Sequence, residues 1–280
     1  MHRFADINGA RLHYETGGSG EPVLLLHTGN GNTEIWSGQF ERLAEHHQVI
    51  RFDLRGFGRS DYPPGPFLWP ADARDLLRHL DIGRVHVVAP SLGGRIGIEL
   101  ALLEPELVAS LVLAAPVLRE QSWREELVTI RMREWDRFVA GDFDGAAEAM
   151  LEAWVSGPYR SLDEVDPGVV ELIRRTQAVS YTIRHPRETG DEQAGPELEL
   201  SRPAGEQLSE IAAPTLVMVG SLDQPDCVRV AHQLAAEVPD VELEIVPGVA
   251  HMLTLERPQL FVDRVLSWID AHRMAPAVTS

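Results

Sequence analysis

The stretch VHVVAPSLGG, residues 85–94, joins an apolar run to a helical pattern through a single serine, Ser91. Its first five residues are typical of a strand buried on both faces, and residues 92–104 have the apolar spacing of a helix. Ala89 and Gly93 are small, as a sharp turn between strand and helix requires. The stretch predicts a serine at a helix N-terminus, where backbone N–H groups favour negative charge. A serine that only caps an ordinary helix fits the same residues, so both interpretations stay open here.

The rest of the chain alternates apolar runs with helical patterns. Strands are predicted at residues 11–15, 23–27, 49–53, 85–89, 111–115, 215–220 and 241–246. Helices are predicted at residues 72–80, 92–104, 228–236 and 258–272. Because most of the strand runs are continuously apolar, they indicate a mostly parallel sheet that helices cover on both faces.

Residues 117–203 interrupt this alternation. Helical patterns at residues 123–138, 144–155 and 168–183 are followed by an acidic stretch at 188–199. We interpret the whole segment as a helical insertion between two strands, placed as a lid over one edge of the sheet. The predicted division is 1–116 for the first part of the core, 117–205 for the helical cap and 206–280 for the second part of the core. Residues 274–280 lack a pattern and are predicted to be a frayed tail.

The composition excludes several classes of protein. With 44% hydrophobic and 24% charged residues, the chain of 280 residues is typical of a globular protein. The net charge of −18 repels phosphate backbones, so we expect no nucleic-acid partner. No run reaches the roughly 20 apolar residues of a membrane-spanning helix, and no secretory signal is visible. Cys227 is the single cysteine, which fits a reducing compartment, and we expect a cytoplasmic protein.

Residues suited to nucleophilic catalysis follow two other predicted strands. Asp223 comes just after the strand at 215–220, and His251 follows the next strand along the chain. Because the carboxyl ends of parallel strands meet at one edge of a sheet, we expect both residues to lie near Ser91. A serine hydroxyl needs a base to remove its proton, and the base needs a carboxylate to fix its tautomer. Each residue alone fits an ordinary turn, and Asp226 is a second candidate for the acid, but the combination favours catalysis by Ser91.

Four segments resemble the α/β-hydrolase family: LLLHTG at 24–29, DLRGFGRS at 53–60, APSLGG at 89–94 and GVAH at 248–251. The resemblance covers nearly the whole chain outside the helical insertion, and the second segment is similar to the D-x-R-G-x-G-x-S of that family. It implies an α/β fold, with a doubly wound, mostly parallel sheet of eight strands and a helical cap inserted after strand 6. By position, Ser91 corresponds to the nucleophile, Asp223 to the orienting acid and His251 to the general base.

The same resemblance implies that two backbone N–H groups form an oxyanion hole. One belongs to Leu92, directly after the nucleophile, and the other to Gly29, the second residue after His27. The chain departs from the family pattern in two places. Ala89 begins the serine turn where the family usually has glycine, and Thr28 follows the histidine where glycine is usual, which leaves the second donor open. The resemblance gives His27 itself a structural role.

Candidate substrate contacts are Asn30 and, in the insertion, Trp123, Trp135 and Trp154. Asn30 and its neighbour Asn32 equally fit a turn, and the helical spacing of the tryptophans favours packing between helices. The net charge disfavours anionic substrates at long range, an effect that local arginines can override. We expect no cofactor and no metal, since neither an HExxH nor a CxxC spacing is present.

These residues predict a serine hydrolase that cleaves a small-to-medium ester or lactone through an acyl-enzyme on Ser91. Relatives that open epoxides use an aspartate at this position, whereas a serine favours acyl transfer. Two alternatives stay open. One is an enol-lactone or C–C bond hydrolase of aromatic or polyketide metabolism, since the layout also resembles 3-oxoadipate enol-lactonases. The other, of a different class, is a ligand-binding receptor on the same fold that has lost turnover. The sequence makes no prediction of the oligomeric state.

Overall fold

A computed structural model describes residues 2–190 and 194–274 of the chain. Eight strands form one sheet: β1 (Arg3–Ile7), β2 (Ala10–Gly17), β3 (Pro22–Leu25), β4 (Gln48–Phe52), β5 (Val85–Pro90), β6 (Val108–Ala114), β7 (Thr215–Gly220) and β8 (Val241–Val246). Residues 275–280 of the predicted tail and residues 191–193 of the acidic stretch lie outside the described residues.

The α-helices are α1 (Ser37–Ala44), α2 (Trp69–His79), α3 (Leu92–Leu103), α4 (Glu125–Val139), α5 (Phe143–Leu151), α6 (Pro167–Thr189), α7 (Pro225–Glu237), α8 (Leu253–Glu256) and α9 (Pro258–Ala271). Short 3-10 turns occur at Thr33–Trp36, Leu162–Glu164, Ala204–Glu206 and Leu208–Glu210, and a π-helical turn, Glu152–Ser156, extends α5. Within the described ranges, no helix is both long and apolar enough to cross a membrane.

The strand order is β1-β2-β4-β3-β5-β6-β7-β8. β2 pairs antiparallel with β1 and β4, and all remaining pairs are parallel. Successive residues of one strand enter different cores, as Val87 and Val88 of β5 do. Because successive side chains of a strand point to opposite faces, the two cores cover the two faces of the sheet. The predicted fold class, a doubly wound and mostly parallel α/β sheet, is therefore confirmed.

Strand β1 is absent from the predicted strand runs. It pairs with β2 in a register that places Ala5 opposite Leu12. Only two of its five residues, Ala5 and Ile7, are buried, so its sequence lacks the continuous apolar run of the central strands. Helix α2 begins at Trp69, three residues before the predicted start, with Pro70 in its first turn, where the missing N–H costs no hydrogen bond.

Helices α4, α5 and α6 lie between β6 and β7 in the chain. Met150 and Ile173, from α5 and α6, are fully buried and belong to the same core as Val88 and Val112 of the sheet. The insertion thus shares one continuous apolar core with a face of the sheet. After α6 the chain crosses to the residues before α2, where Leu198 N–H donates to the Phe67 carbonyl at 2.7 Å. The domain boundaries given above stay a prediction.

Candidate active site

Ser91 lies at the turn between β5 and α3. Its backbone has φ 52° and ψ −118°, and a positive φ is uncommon for a residue other than glycine. Two hydrogen bonds hold the turn: Ser91 N–H donates to the Ala114 carbonyl at 2.9 Å, and Arg95 N–H donates to the Ser91 carbonyl at 3.0 Å. A Cβ on Gly93 would lie 2.8 Å from the His27 carbonyl oxygen, which explains the small residue there. The strained turn therefore depends on contacts from β6 and from the residues that follow β3.

His251 connects Ser91 to Asp223. Its Nε2 lies 2.8 Å from Ser91 Oγ, and its Nδ1 lies 3.0 and 3.1 Å from the two carboxylate oxygens of Asp223. A carboxylate only accepts, so Nδ1 carries the proton and Nε2 is left to accept from the serine hydroxyl. His251 and Asp223 are 3% and 1% exposed, so little water competes for these hydrogen bonds. The three side chains are thus joined in the order that proton transfer requires.

Asp226, the second candidate for the acid, has other partners. Its Oδ2 accepts from Arg124 N–H at 2.9 Å, and its Oδ1 lies 3.3 Å from a guanidinium nitrogen of Arg229. This carboxylate links α7 to the beginning of α4. The geometry therefore favours Asp223 over Asp226 as the partner of His251.

Gly29 and Leu92 line the same cavity as Ser91. A Cβ on Gly29 would lie 3.5 Å from the Leu92 side chain, so the two residues are neighbours. Within residues 2–190 and 194–274, neither backbone N–H donates to a protein acceptor. Both donors are available to an oxygen on the substrate.

His27 holds the loop that carries Gly29. Its Nδ1 donates to the Thr28 carbonyl at 2.7 Å, and its Nε2 accepts from Leu54 N–H at 2.9 Å. Complete burial lowers the pKa of His27, which keeps the ring neutral as these two bonds require. The arrangement agrees with the structural role that the resemblance implies.

Asp53, the first residue of the DLRGFGRS segment, supports the same loop from the other side. Its carboxylate accepts from Thr33 N–H at 2.7 Å and from Arg59 N–H at 2.9 Å, and it pairs with His13 at 2.8 Å. These hydrogen bonds hold the pKa of Asp53 below its usual value even though burial opposes them. The segment therefore fixes the loop between β3 and α1.

A cavity of about 760 Å³ adjoins Ser91, between the sheet edge and the helical insertion. Its walls include Asn30, Trp123, Trp135 and Trp154. Trp123 and Trp154 pack edge to face with their ring centroids 5.7 Å apart, and the Trp154 ring centroid lies 4.6 Å from that of His251. These two tryptophans therefore pack against other rings and also line the cavity. Asn32 instead caps the 3-10 turn that follows, by accepting from Glu34 N–H at 2.8 Å.

Several polar residues of the wall are absent from the sequence predictions. Gln177 is 2% exposed, and its Oε1 has no hydrogen-bond partner. Beside it, Tyr181 donates its hydroxyl to Glu134 at 2.7 Å. The described wall also includes four arginines: Arg95, Arg119, Arg131 and Arg184. The amphipathic pattern of a helix indicates a buried face, but it does not say which cavity that face adjoins, so no sequence signal marks these residues.

Two groups of side chains bring potential metal ligands together in the described ranges: His2, His13 and Glu15, and Asp223, Cys227 and His251. In the second group the carboxylate and imidazole are already bonded to each other. Burial raises the pKa of the Cys227 thiol well above its usual value, which disfavours the thiolate that binds metals. The chemistry of the second group suits proton transfer better than metal binding.

The fold agrees with the comparisons to known proteins. A family model described as alpha/beta hydrolase fold matches residues 21–258. The chain therefore belongs to the alpha/beta hydrolase fold family, and it is a hydrolytic enzyme.

Relatives with different names cover nearly the whole chain. RutD of Azorhizobium caulinodans, named for carbamate hydrolysis, is 30% identical over 270 residues, which are 95% of this chain and 97% of the relative. A 2-hydroxy-6-oxo-6-(2'-aminophenyl)hexa-2,4-dienoic acid hydrolase of Metapseudomonas resinovorans is 26% identical over 96% of this chain and 91% of its own length. The solved structure of Est816, an N-acyl homoserine lactone degrading enzyme, has a TM-score of 0.74 at 25% identity and covers 95% of this chain and 100% of its own.

Proposed function

We propose that the chain is a serine hydrolase that cleaves a small-to-medium ester or lactone through an acyl-enzyme on Ser91. The observation that carries the proposal is the hydrogen-bonded series from Asp223 to His251 to Ser91, with distances of 3.0 and 2.8 Å, beside a cavity of about 760 Å³. A buried His–Asp pair that reaches a strained serine has a direct use in activating a nucleophile.

In the acylation half of the reaction, Ser91 Oγ attacks the carbonyl carbon and its proton moves to His251 Nε2. Asp223 stabilises the imidazolium that forms and keeps Nδ1 protonated. The carbonyl oxygen becomes negative and accepts from the N–H groups of Leu92 and Gly29. One such donor typically contributes about 2.7–4 kcal/mol to the transition state. His251 then protonates the leaving alcohol.

In the deacylation half, water takes the place of the alcohol. His251 removes a proton from that water, and the hydroxyl attacks the acyl carbon. The bond to Ser91 Oγ then breaks as His251 returns the proton to that oxygen, and the acid is released. These steps need only the side chains of the site, two backbone N–H groups and water.

The substrate enters the space between the sheet edge and helices α4–α6, which act as a cap over Ser91 in this proposal. The apolar part of the wall, Trp123 and Trp154, accommodates a hydrocarbon group, and Ser91 lies at its base. A volume of about 760 Å³ is in the usual range for a small-molecule site.

A second candidate function is hydrolysis of a C–C bond next to a carbonyl. It is favoured by the relative named for a hydroxy-oxo-dienoic acid, which aligns with nearly the whole chain. The same site serves both reactions, since each uses a nucleophile or base beside an oxyanion hole. Product analysis with simple esters, lactones and a vinylogous diketone separates them.

A fluorophosphonate probe tests the proposal directly, because it phosphonylates only an activated serine. We expect one label per chain, and peptide mass spectrometry should locate it at Ser91. A folded protein that takes no label and hydrolyses no ester of the panel would contradict the serine hydrolase proposal and favour a ligand-binding receptor on this fold.

Asp223→Asn should lower kcat by about 10⁴-fold, because an amide can donate to His251 Nδ1 and stabilise the wrong tautomer. The measurement is kcat for the best ester of the panel. Asp226→Asn is the matched control, since it makes the same change in a carboxylate that contacts Arg124 and Arg229. If Asp226→Asn were the more damaging of the two, Asp223 would not be the orienting acid.

A further inference from the structure

One corner of the cavity wall holds a group of charged side chains that the proposed mechanism does not use. We call Arg95, Glu99, Arg119 and Glu197 the arginine corner. Arg95 Nη2 donates to Glu197 Oε1 at 2.7 Å, and Arg119 donates to the same oxygen. Both arginines and Glu197 line the cavity. Two guanidinium groups thus share one oxygen of a single carboxylate.

The other acids near this corner compensate the second arginine only in part. Glu99 lies 3.9 Å from the Nε atoms of both arginines, which is too far for a hydrogen bond. Burial raises the pKa of Glu99 to about 7, so much of it is uncharged at neutral pH. Glu199 is 3.8 Å from Arg119 but its side chain is 69% exposed, where water screens the interaction. The corner therefore retains positive charge.

Buried polar atoms of the arginine corner also lack partners. Arg95 Nε, Arg119 Nε and Glu99 Oε2 are buried without a hydrogen bond. Buried N–H donors are normally satisfied, because an unpaired donor loses its hydrogen bonds to water and gains none in the protein. Both Nε atoms face Glu99 Oε1 at 3.9 Å, so the protein alone pairs these two arginines incompletely.

The position of Arg95 relates this corner to Ser91. Arg95 is four residues after Ser91 on α3, and its N–H donates to the Ser91 carbonyl at 3.0 Å. A long side chain on a helix leans towards the N-terminus, which is the end of α3 that Ser91 precedes. The Arg95 guanidinium lies 5.3 Å from the Trp69 ring, and the side chain is 9% exposed, so its position is well defined.

We propose that Arg95 and Arg119 bind a carboxylate of the substrate, so that the enzyme prefers esters or lactones whose acyl or alcohol part carries a negative charge. This inference rests on the proposed function, whose site shares the cavity. A carboxylate offers two acceptor oxygens, which match guanidinium groups in number and charge. A bound carboxylate supplies a second full negative charge beside that of Glu197, so that the two positive guanidinium groups are balanced. The local charge thus outweighs the net charge of −18 on the chain.

The test compares two esters that differ only at the end of the acyl chain: p-nitrophenyl pentanoate and mono-p-nitrophenyl glutarate. The measured quantity is the ratio of kcat/KM for the anionic ester to that for the neutral ester, after subtraction of the enzyme-free rate. We expect a ratio above one for the unaltered enzyme. Arg119→Gln and Arg95→Gln should each lower the ratio by about tenfold or more, as for the loss of a charged hydrogen bond.

Arg202→Gln is the control, because it removes an exposed arginine that pairs with Glu210 away from the cavity. It should keep the ratio of the unaltered enzyme. A ratio below one in the unaltered enzyme, or the same ratio in Arg119→Gln, would overturn the proposal; water alone would then fill the gap between the arginines and Glu99. If Arg119→Gln hydrolyses neither ester, Arg119→Lys, which keeps the charge but loses the planar fork, should give a ratio above one but below that of the unaltered enzyme, and an unchanged ratio would overturn the proposal.

The experiments give a different result if the serine hydrolase proposal itself is wrong. If the unaltered protein hydrolyses neither ester and takes no fluorophosphonate label, the serine hydrolase proposal is wrong, and the anion site is tested by binding alone. Glutarate should then raise the melting temperature more than pentane-1,5-diol does, and Arg119→Gln should abolish the difference. An equal effect of glutarate and the diol on the unaltered protein would reject the site.

Discussion

Ser91→Ala should lower kcat/KM for every ester that the enzyme hydrolyses by about 10⁶-fold. The hydroxyl oxygen is the atom that bonds to the acyl carbon, and its proton is the one that His251 Nε2, 2.8 Å away, removes in the first step. Without it, the remaining oxyanion donors and the cavity accelerate only the direct attack of water. The measurement is the hydrolysis rate at high enzyme concentration, with the fluorophosphonate label as a second readout.

This substitution should leave the fold intact. Alanine keeps the Cβ at the strained turn, and the backbone hydrogen bonds of Ser91 to Ala114 and Arg95 do not involve the hydroxyl. The circular dichroism spectrum and melting temperature should therefore match those of the unaltered protein. Activity above a few per cent in a folded Ser91→Ala protein would mean that another group is the nucleophile.

The sequence was sufficient to predict the central strands and the order of the three catalytic candidates. Strands β5, β6 and β7 are buried on both faces, so their sequences are continuously apolar and easy to recognise. The residues that follow such strands meet at one edge of the sheet, which is why the sequence predicts that Ser91 and Asp223 lie close together. Edge strand β1 alternates between exposed and buried residues over only five positions, and that pattern is weak.

The polar wall of the cavity could not be predicted in the same way. Glu197 reaches Arg95 only because the chain after α6 crosses to the residues before α2, a contact over about one hundred positions. Gln177 and Tyr181 lie on the buried face of α6, where an amphipathic pattern gives the same signal for packing and for lining a cavity. The polar cavity wall, which would select the substrate, depends on these long-range contacts. The catalytic candidates instead follow the carboxyl ends of strands, which the sequence predicts.

The tryptophans of the insertion illustrate the same limit. Their helical spacing favoured packing between helices, and Trp123 and Trp154 do pack on each other. Both also line the cavity, and Trp154 contacts the His251 ring. Packing and substrate contact are therefore not alternatives at these positions, since the cavity is bounded by the same aromatic faces that stabilise the insertion.

His251→Ala should lower kcat/KM nearly as much as Ser91→Ala, by about 10⁵–10⁶-fold. Ser91 then has no acceptor for its proton, and a serine hydroxyl at neutral pH is a poor nucleophile without one. Deacylation fails for the same reason, because the water that releases the acid also needs a base. The rate of fluorophosphonate labelling should fall along with ester hydrolysis.

Added imidazole distinguishes loss of the base from damage to the fold. The truncated side chain leaves space beside Trp154 and Asp223, so free imidazole should restore part of the activity of His251→Ala and none of that of Ser91→Ala. His232→Ala, a change of the same kind at an exposed position on α7, is the control and should retain full activity. A His251→Ala protein that keeps more than about one per cent of activity without imidazole would contradict the assignment, because loss of a general base alone costs at least about 10²-fold.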